Sequence, residues 1–241
     1  MSPPESTGGG RARRERDKLC SRLQRARPAA VRRHPRLPIP ARAARLRGAI
    51  GWTSAGARMN PSQALILRAA AFAAERHRHQ RRLDAASTPY INHPLALADV
   101  LANEGGIDDP LVLCAALLHD TIEDTETTAA QIEAAFGAQI AAVVLEVSDD
   151  KSLSKHERKR LQIEHAAHAS APAQLIKLAD KICNLRDLLQ TPPKDWSAAR
   201  KREYFEWSAR VIAGVRGVHP GLEAVFDAVY AHVEELADSA A

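Results

Sequence analysis

No segment of this chain alternates apolar and polar residues with the period of two that a half-buried β-strand requires. Hydrophobic residues make up 45% of the 241 residues and aromatic residues only 4%, so the core must be built from Ala, Leu, Ile and Val. Ala and Leu favour helices, and runs of strand-favouring residues are nearly absent. The sequence therefore predicts an all-α fold.

Residues that start and stop helices divide the chain after Met59 into eight or nine helical segments. The first is expected to begin at Pro61 and to run to about Gln80. The remaining expected boundaries are His93 to Gly105-Gly106, a start at Asp108-Asp109-Pro110, a cap at Thr127 or Thr128, a break at Gly137, and helices at about 155–168, 172–190, 195–214 and 219–237.

The first 58 residues differ from the rest in composition and charge. They carry 15 Lys and Arg against 3 Asp and Glu, whereas the other 183 residues carry 19 basic and 26 acidic residues. A segment so rich in Arg, Pro and Gly buries too little apolar surface to offset chain entropy, which predicts disorder for residues 1–58 and one folded domain over residues 59–241. The segment is a basic interaction tail, a cleaved transit segment or, as we favour, sequence upstream of a true start at Met59.

Charge and cysteine content restrict the partners and the compartment. There is no run of about 18 apolar residues, so no membrane span is expected. Cys20, Cys114 and Cys183 are odd in number and not closely spaced, which favours a reducing compartment and a cytoplasmic location. Cys114 and Cys183 are expected to be small core residues.

The acidic balance of residues 59–241 argues against nucleic-acid binding by the folded domain. The alternative to an enzyme is a basic nucleic-acid-binding or scaffold protein that acts through residues 1–58.

A histidine and several carboxylates cluster where the apolar segment LVLCAALL ends. His119 and Asp120 close that segment, and burying them is costly unless they have partners. Glu123 and Asp124 follow one turn later. Carboxylates this close repel one another unless some are solvated or a cation neutralises them, which favours a divalent metal ion.

Two further segments can supply metal ligands. His93 lies at a loop-to-helix junction, and Asp180 lies on a mostly apolar helix where Asn184 and Asp187 share its stripe at i+4 and i+7. Together with the His-Asp pair, these residues provide two histidines, two aspartates and no thiolate. Such a nitrogen and oxygen set suits Mn²⁺, and also Fe²⁺, Zn²⁺ or Mg²⁺, with positions left for water and a phosphate oxygen.

Each of these groups also has a simpler interpretation. A lone His-Asp pair is common, Asp180 could pair with Lys181 or Arg186 on a solvated face, and the acidic pair could be surface residues. Their joint occurrence on otherwise apolar helices favours the metal site. The other histidines have polar neighbours in the sequence and are expected to be solvated: His77, His79, His156, His165, His168 and His219.

With these residues the sequence resembles the HD hydrolase domain of RelA/SpoT proteins, and more closely the stand-alone small alarmone hydrolases. The similarity spans Met59 to about Ala228. It is carried by the segments QRRLDAASTPYINHP, DPLVLCAALLHDTIEDTETT, FGAQI, VSDDKSLSKHERKRLQ, LIKLADKICNLRDL and REYFEW. The resemblance implies a single HD-type helical domain and metal-dependent phosphohydrolase activity.

The resemblance also implies roles for individual residues. The Mn²⁺ ligands would be His93, His119, Asp120 and Asp180. The acidic pair that orients or deprotonates the attacking water would be Glu123 and Asp124. Substrate-binding residues would be Arg81, Arg82 and Asn184, with Lys151, Arg200 and Tyr204 as weaker candidates for the pocket wall. Leu83 departs from the pattern, because close relatives often carry a third basic residue there, and this lowers the expected pocket charge.

The implied reaction is hydrolysis of the 3′-pyrophosphate of ppGpp or pppGpp to GDP or GTP and pyrophosphate, without alarmone synthesis. The same metal site could instead act on the 2′-phosphate of NADPH or on another nucleotide, and this is the alternative within enzymes. The sequence leaves the oligomeric state open.

Overall fold

Nine α-helices of eight or more residues, and no β-strand, make up the part of the chain that the computed structural model describes, residues 60–238. This confirms the predicted all-α fold and the expected number of helices. The interpretations offered for residues 1–58, and for a start at Met59, lie outside the described residues.

The helices follow the start and stop residues of the sequence closely. They are α1 Pro61–Arg76, α2 Asn92–Asp99, α3 Pro110–Leu118, α4 Thr121–Asp124, α5 Ala129–Phe136, α6 Ala138–Val147, α7 Lys155–Ala166, α8 Ala171–Gln190, α9 Ala198–Ala213, α10 Pro220–Tyr230 and α11 Glu235–Asp238. A π-helical turn, Val100–Glu104, continues α2, and a 3₁₀ turn, Ala231–Val233, continues α10.

Local chemistry explains several of these boundaries. Thr128 caps α5 in a capping box with Gln131, which decides between the two predicted caps. Gly137 separates α5 from α6 with a φ of 92°, in the left-handed region that favours glycine. The first helix stops earlier than predicted, because the chain turns at His77 and the Gln80 N–H bonds to the His77 carbonyl.

The helices α3 and α8 lie at the centre of the domain. Helix α3 packs against α1, α2, α6 and α8, and every residue from Val112 to Leu118 is buried. Burying a Leu side chain stabilises the fold by about 1.5–3 kcal/mol. Cys114 and Cys183 are small core residues, as predicted. Because α3 is buried on all sides, its end delivers His119 and Asp120 into the interior.

None of the helices between residues 60 and 238 is both long enough and apolar enough to span a bilayer.

Candidate active site

Three separate helices bring the predicted metal ligands together. His93 lies in the first turn of α2, His119 and Asp120 follow α3, and Asp180 lies in the middle of α8. The Nε2 atom of His93 is 3.1 Å from Asp180 Oδ1 and 4.0 Å from Asp120 Oδ2. Ligand atoms of His93, His119 and Asp180 all lie within 4.8 Å of one another. The structure therefore assembles the four residues, here called the His-Asp cluster.

The hydrogen bonds of the cluster fit a divalent cation. The Nδ1 atom of His119 donates to the Ala116 carbonyl over 2.8 Å, so Nε2 of a neutral ring directs a lone pair at Asp120 Oδ2, 2.9 Å away. That contact is favourable only with a proton or a metal ion to satisfy both atoms. His93 is 4% exposed, its Nε2 lies 3.1 Å from Asp180 Oδ1, and its buried Nδ1 has no partner among the described residues. The nitrogen and oxygen donors suit a divalent metal ion.

Electrostatics also favour a positive charge here. Burial alone would lower the pKa of His119, but the charges of Asp120 and Asp180 raise it to about 9. Burial would raise the pKa of Asp120, yet the two histidines hold it below its usual range. The pKa of Asp180 is also well below its usual range, because Lys181 and His93 outweigh the effect of burial. The cluster thus binds a cation or retains protons.

The predicted acidic pair lies on the short helix α4, directly after the cluster. One Glu123 oxygen accepts a hydrogen bond from the Asp149 N–H over 3.1 Å, and the other pairs with Arg158 at 3.2 Å. Burial, together with the charges of Asp149, Asp120 and Asp124, raises the pKa of Glu123. A raised pKa makes Glu123 a stronger proton acceptor than an ordinary carboxylate.

Asp124 is held by two donors from different parts of the chain. Its Oδ2 accepts a hydrogen bond from Gln80 Nε2 over 2.8 Å, and its Oδ1 pairs with Lys151 Nζ. Asp124 and His93 both line one cavity, so this acid faces the same space as one histidine of the cluster.

That cavity has a volume of about 630 Å³, within the range of nucleotide and drug-sized pockets. Its walls include four of the predicted substrate-binding residues: Arg81, Arg82, Asn184 and Tyr204. Arg82 pairs with Asp187 at 2.6 Å, and its guanidinium lies 5.5 Å from the centre of the Tyr90 ring.

Arg81 is oriented differently from Arg82. Its Nη1 atom donates to the carbonyls of Arg78 and Gln80, over 3.0 and 2.9 Å. Leu83 is 74% exposed at the cavity rim, so an apolar side chain does stand beside the two arginines.

Two of the weaker candidates, Lys151 and Arg200, are not among the residues that line the cavity, and their part in substrate binding stays a prediction. Lys151 pairs with Asp124 instead, and Arg200 lies with its guanidinium 4.3 Å from the centre of the Trp196 ring. Trp196 itself lines the cavity. Both basic residues thus contact residues of the site without forming its surface.

Other cavity residues were not predicted from the sequence, among them Gln80, Tyr90 and Trp196. The Tyr90 hydroxyl donates to Asp120 Oδ2 over 2.5 Å, and its position three residues before His93 was the available indication. The expectation that His77 is solvated was wrong, because its ring packs against Tyr90 with 4.9 Å between ring centroids. The arginines and histidine around it in sequence gave no sign of this burial.

Comparisons with known proteins agree with this geometry. An HD-domain family model matches residues 69–206. The guanosine-3′,5′-bis(diphosphate) 3′-pyrophosphohydrolase MESH1 of Xenopus tropicalis is 55% identical over 172 residues, which cover 71% of this chain and 96% of that protein. The protein of the same name from Homo sapiens is 55% identical over 165 residues, covering 68% of this chain and 92% of that protein.

A solved structure gives the same result. A metazoan ortholog of SpoT, described as hydrolysing ppGpp and acting in starvation responses, is 46% identical with a TM-score of 0.68. The match covers 70% of this chain and 95% of that one. Sequence motifs, site geometry and both kinds of relative agree, and the chain belongs to the HD-domain family, among its small alarmone hydrolases.

Proposed function

We propose that this protein hydrolyses the 3′-pyrophosphate of ppGpp, giving GDP and pyrophosphate, and acts on pppGpp in the same way to give GTP. The observation that carries this proposal is the joint placement of Asp124, Arg82 and His93, the member of the His-Asp cluster that lines the cavity, around one space of nucleotide size. The relatives named for this activity support it, since the chain spans nearly their whole length.

We further propose Mn²⁺ as the ion held by His93, His119, Asp120 and Asp180, with Zn²⁺, Fe²⁺ and Mg²⁺ as alternatives that the same donors allow. Such an ion lowers the pKa of a bound water and withdraws charge from a phosphate oxygen. Tyr90 and Lys181 orient the two carboxylates, since they donate to Asp120 and Asp180.

Glu123 is the proposed acceptor of the proton that the attacking water loses. Its pKa is raised by burial and nearby carboxylates, and two donors fix its carboxylate, the Asp149 N–H and Arg158. Asp124, at the cavity wall, orients the water. As water adds to the phosphorus bound to the ribose 3′ oxygen, the bond to that oxygen breaks. The 3′ oxygen takes up a proton and becomes the 3′-hydroxyl of GDP, and the attacked phosphorus is released in pyrophosphate.

Arg82, Asn184 and Tyr204 are the proposed substrate contacts. A guanidinium is planar and permanently charged, so Arg82 can stack on a base or bind phosphate oxygens. Burial raises the pKa of Tyr204 to about 12, which keeps its hydroxyl protonated as a hydrogen-bond donor at neutral pH. A cytoplasmic site of action remains our prediction from the cysteine pattern.

The test is a substrate panel on the full chain. Purified protein with Mn²⁺ is given ppGpp, pppGpp or NADPH, and the products are separated by anion exchange. We expect GDP and pyrophosphate from ppGpp, and none from a Glu123→Gln variant with normal metal content. Release of orthophosphate from NADPH with no turnover of ppGpp would contradict the proposed substrate and favour the NADPH alternative.

A further inference from the structure

The side chain of Gln80 bridges a buried histidine and a proposed catalytic acid. Its Nε2 lies 2.8 Å from Asp124 Oδ2, and its Oε1 lies 2.6 Å from His77 Nδ1. Only the amide NH₂ can donate to a carboxylate, so the amide oxygen must face His77. His77 Nδ1 must therefore hold the proton that completes the chain.

His77 is held in place by its surroundings. It is 2% exposed, lies at the end of α1, and its ring packs against Tyr90 at an interplanar angle of 32°. Its Nε2 is buried and has no partner among the described residues, so Nδ1 makes the only hydrogen bond of the ring. Burying a polar ring costs free energy, and the hydrogen bond from Nδ1–H to the Gln80 amide oxygen offsets part of that cost.

The backbone fixes Gln80 as firmly as its side chain does. Its N–H donates to the His77 carbonyl over 2.9 Å, and its carbonyl accepts from the Tyr90 N–H over 3.1 Å. The side-chain amide of Gln80 therefore reaches Asp124 from a backbone position that two hydrogen bonds hold in place. The other partner of Asp124 is Lys151, whose side chain is 49% exposed, and exposed lysine pairs orient a carboxylate weakly.

We propose that Gln80 is a positioning residue that fixes the carboxylate of Asp124, and that His77 fixes Gln80 in turn. The inference rests on the proposed function, because it assigns Asp124 to the attacking water. The chain His77–Gln80–Asp124, here called the relay, contacts Tyr90 through the ring of His77, and the Tyr90 hydroxyl in turn bonds to Asp120 of the His-Asp cluster.

Four variants separate positioning from packing. Gln80→Glu has the same shape and still accepts from His77, but it presents an oxygen to Asp124; Gln80→Leu removes both bonds. His77→Phe keeps a ring against Tyr90 without the N–H, whereas His77→Asn restores a donor near the Nδ1 position. All are compared with the wild type for metal content and thermal unfolding.

Kinetics on ppGpp provide the first readout. Both Gln80 variants should lower kcat by about 10- to 100-fold, the effect of one hydrogen bond to a charged group, with KM within about two-fold. His77→Phe should lower kcat and His77→Asn should recover most of it. A rise in KM at unchanged kcat would show that Gln80 only contacts substrate, and equal activity of His77→Asn and His77→Phe would reduce His77 to packing. Either result overturns the proposal.

The second readout does not depend on activity. Long-range ¹H–¹⁵N correlation spectra of the imidazole nitrogens should show Nδ1 of His77 protonated in the wild type and in Gln80→Glu, and this preference should be lost in Gln80→Leu. If the wild type does not turn over ppGpp but His77 shows the expected tautomer, the proposed function is wrong and the hydrogen bonds of the relay are still supported. A wild-type His77 protonated at Nε2 would overturn the relay whatever the activity.

Discussion

The Nε2 atom of His119 lies 2.9 Å from Oδ2 of Asp120, while Nδ1 of the same ring donates to a backbone carbonyl. Because Nδ1 carries a proton, Nε2 of the neutral ring presents a lone pair to the carboxylate oxygen. Either a second proton or a metal ion must therefore lie between Nε2 and the carboxylate. This one contact links the stability of the protein to both pH and metal content.

The metal-free protein should therefore lose stability as pH rises through the neutral range. The pKa of His119 is raised from an ordinary 6.5 to about 9 in the folded state. Its stabilising contribution is fully present below pH 6.5 and is lost as pH rises through about 9. We expect the Tm of chelator-treated protein to fall between pH 6.5 and 9, and that of the Mn²⁺-loaded protein to stay level, because the ion replaces the proton.

Thermal unfolding at several pH values, with and without Mn²⁺, checks this expectation. A His119→Gln variant serves as the control and should lack the fall assigned to this ring. If metal-free wild type keeps its Tm over that range, or His119→Gln shows the same fall, the proton is held elsewhere.

The two adjacent arginines should contribute unequally to substrate binding. The Arg82 guanidinium bonds to side chains across the cavity, Asp187 and Asn184, whereas Arg81 Nη1 is bound to backbone carbonyls of its own loop. We expect Arg82→Ala to raise the KM for ppGpp by about 10-fold or more, as for a lost charge-assisted contact, and Arg81→Ala to raise it less than about three-fold. Steady-state kinetics of the two variants decide this, and a larger effect from Arg81→Ala would reverse the assignment.

Lys181 should be required for the stability of the domain. Its buried Nζ lies 2.8 Å from Asp180 Oδ2 and 4.5 Å from the Trp207 ring centre. Lys181→Met should destabilise the metal-free protein by about 3–5 kcal/mol, because it removes the lysine partner of a buried carboxylate. Lys159→Met is the matched control.

Lys159 lies over the same ring at 5.1 Å, but it pairs with the exposed Glu203, so its loss should cost only about 0–1 kcal/mol. Urea unfolding of both variants measures the difference. Equal losses would mean that the contacts with Trp207, and not the pairing with Asp180, account for the effect.

Features fixed by neighbouring residues were predictable from the sequence. The capping box at Thr128, the left-handed Gly137 and the proline at the start of α3 all act within one turn of the chain, and each gave a helix boundary. The grouping of His119 and Asp120 with other polar side chains was predictable for a related reason, because a charged residue at the end of an apolar helix such as α3 implies a partner.

Features that depend on distant packing were not predictable. His77 is buried by Tyr90, and Gln80 meets Asp124, 44 residues further along the chain. Trp196 reaches the cavity only because the segment after α8 returns toward it. Nor does any single residue specify the π-helical turn after α2, where the Gly105 N–H bonds to the Val100 carbonyl.

In the proposed mechanism, the His-Asp cluster holds the metal ion on which ppGpp hydrolysis depends. The most direct measurement is pyrophosphate release from ppGpp by the full chain, after chelation and after Mn²⁺ is restored, in the wild type and in Asp180→Ala. We predict no turnover without metal, recovery on addition of Mn²⁺ to the wild type, and neither turnover nor stoichiometric metal in the variant. Near-normal kcat and metal content in Asp180→Ala would contradict the account.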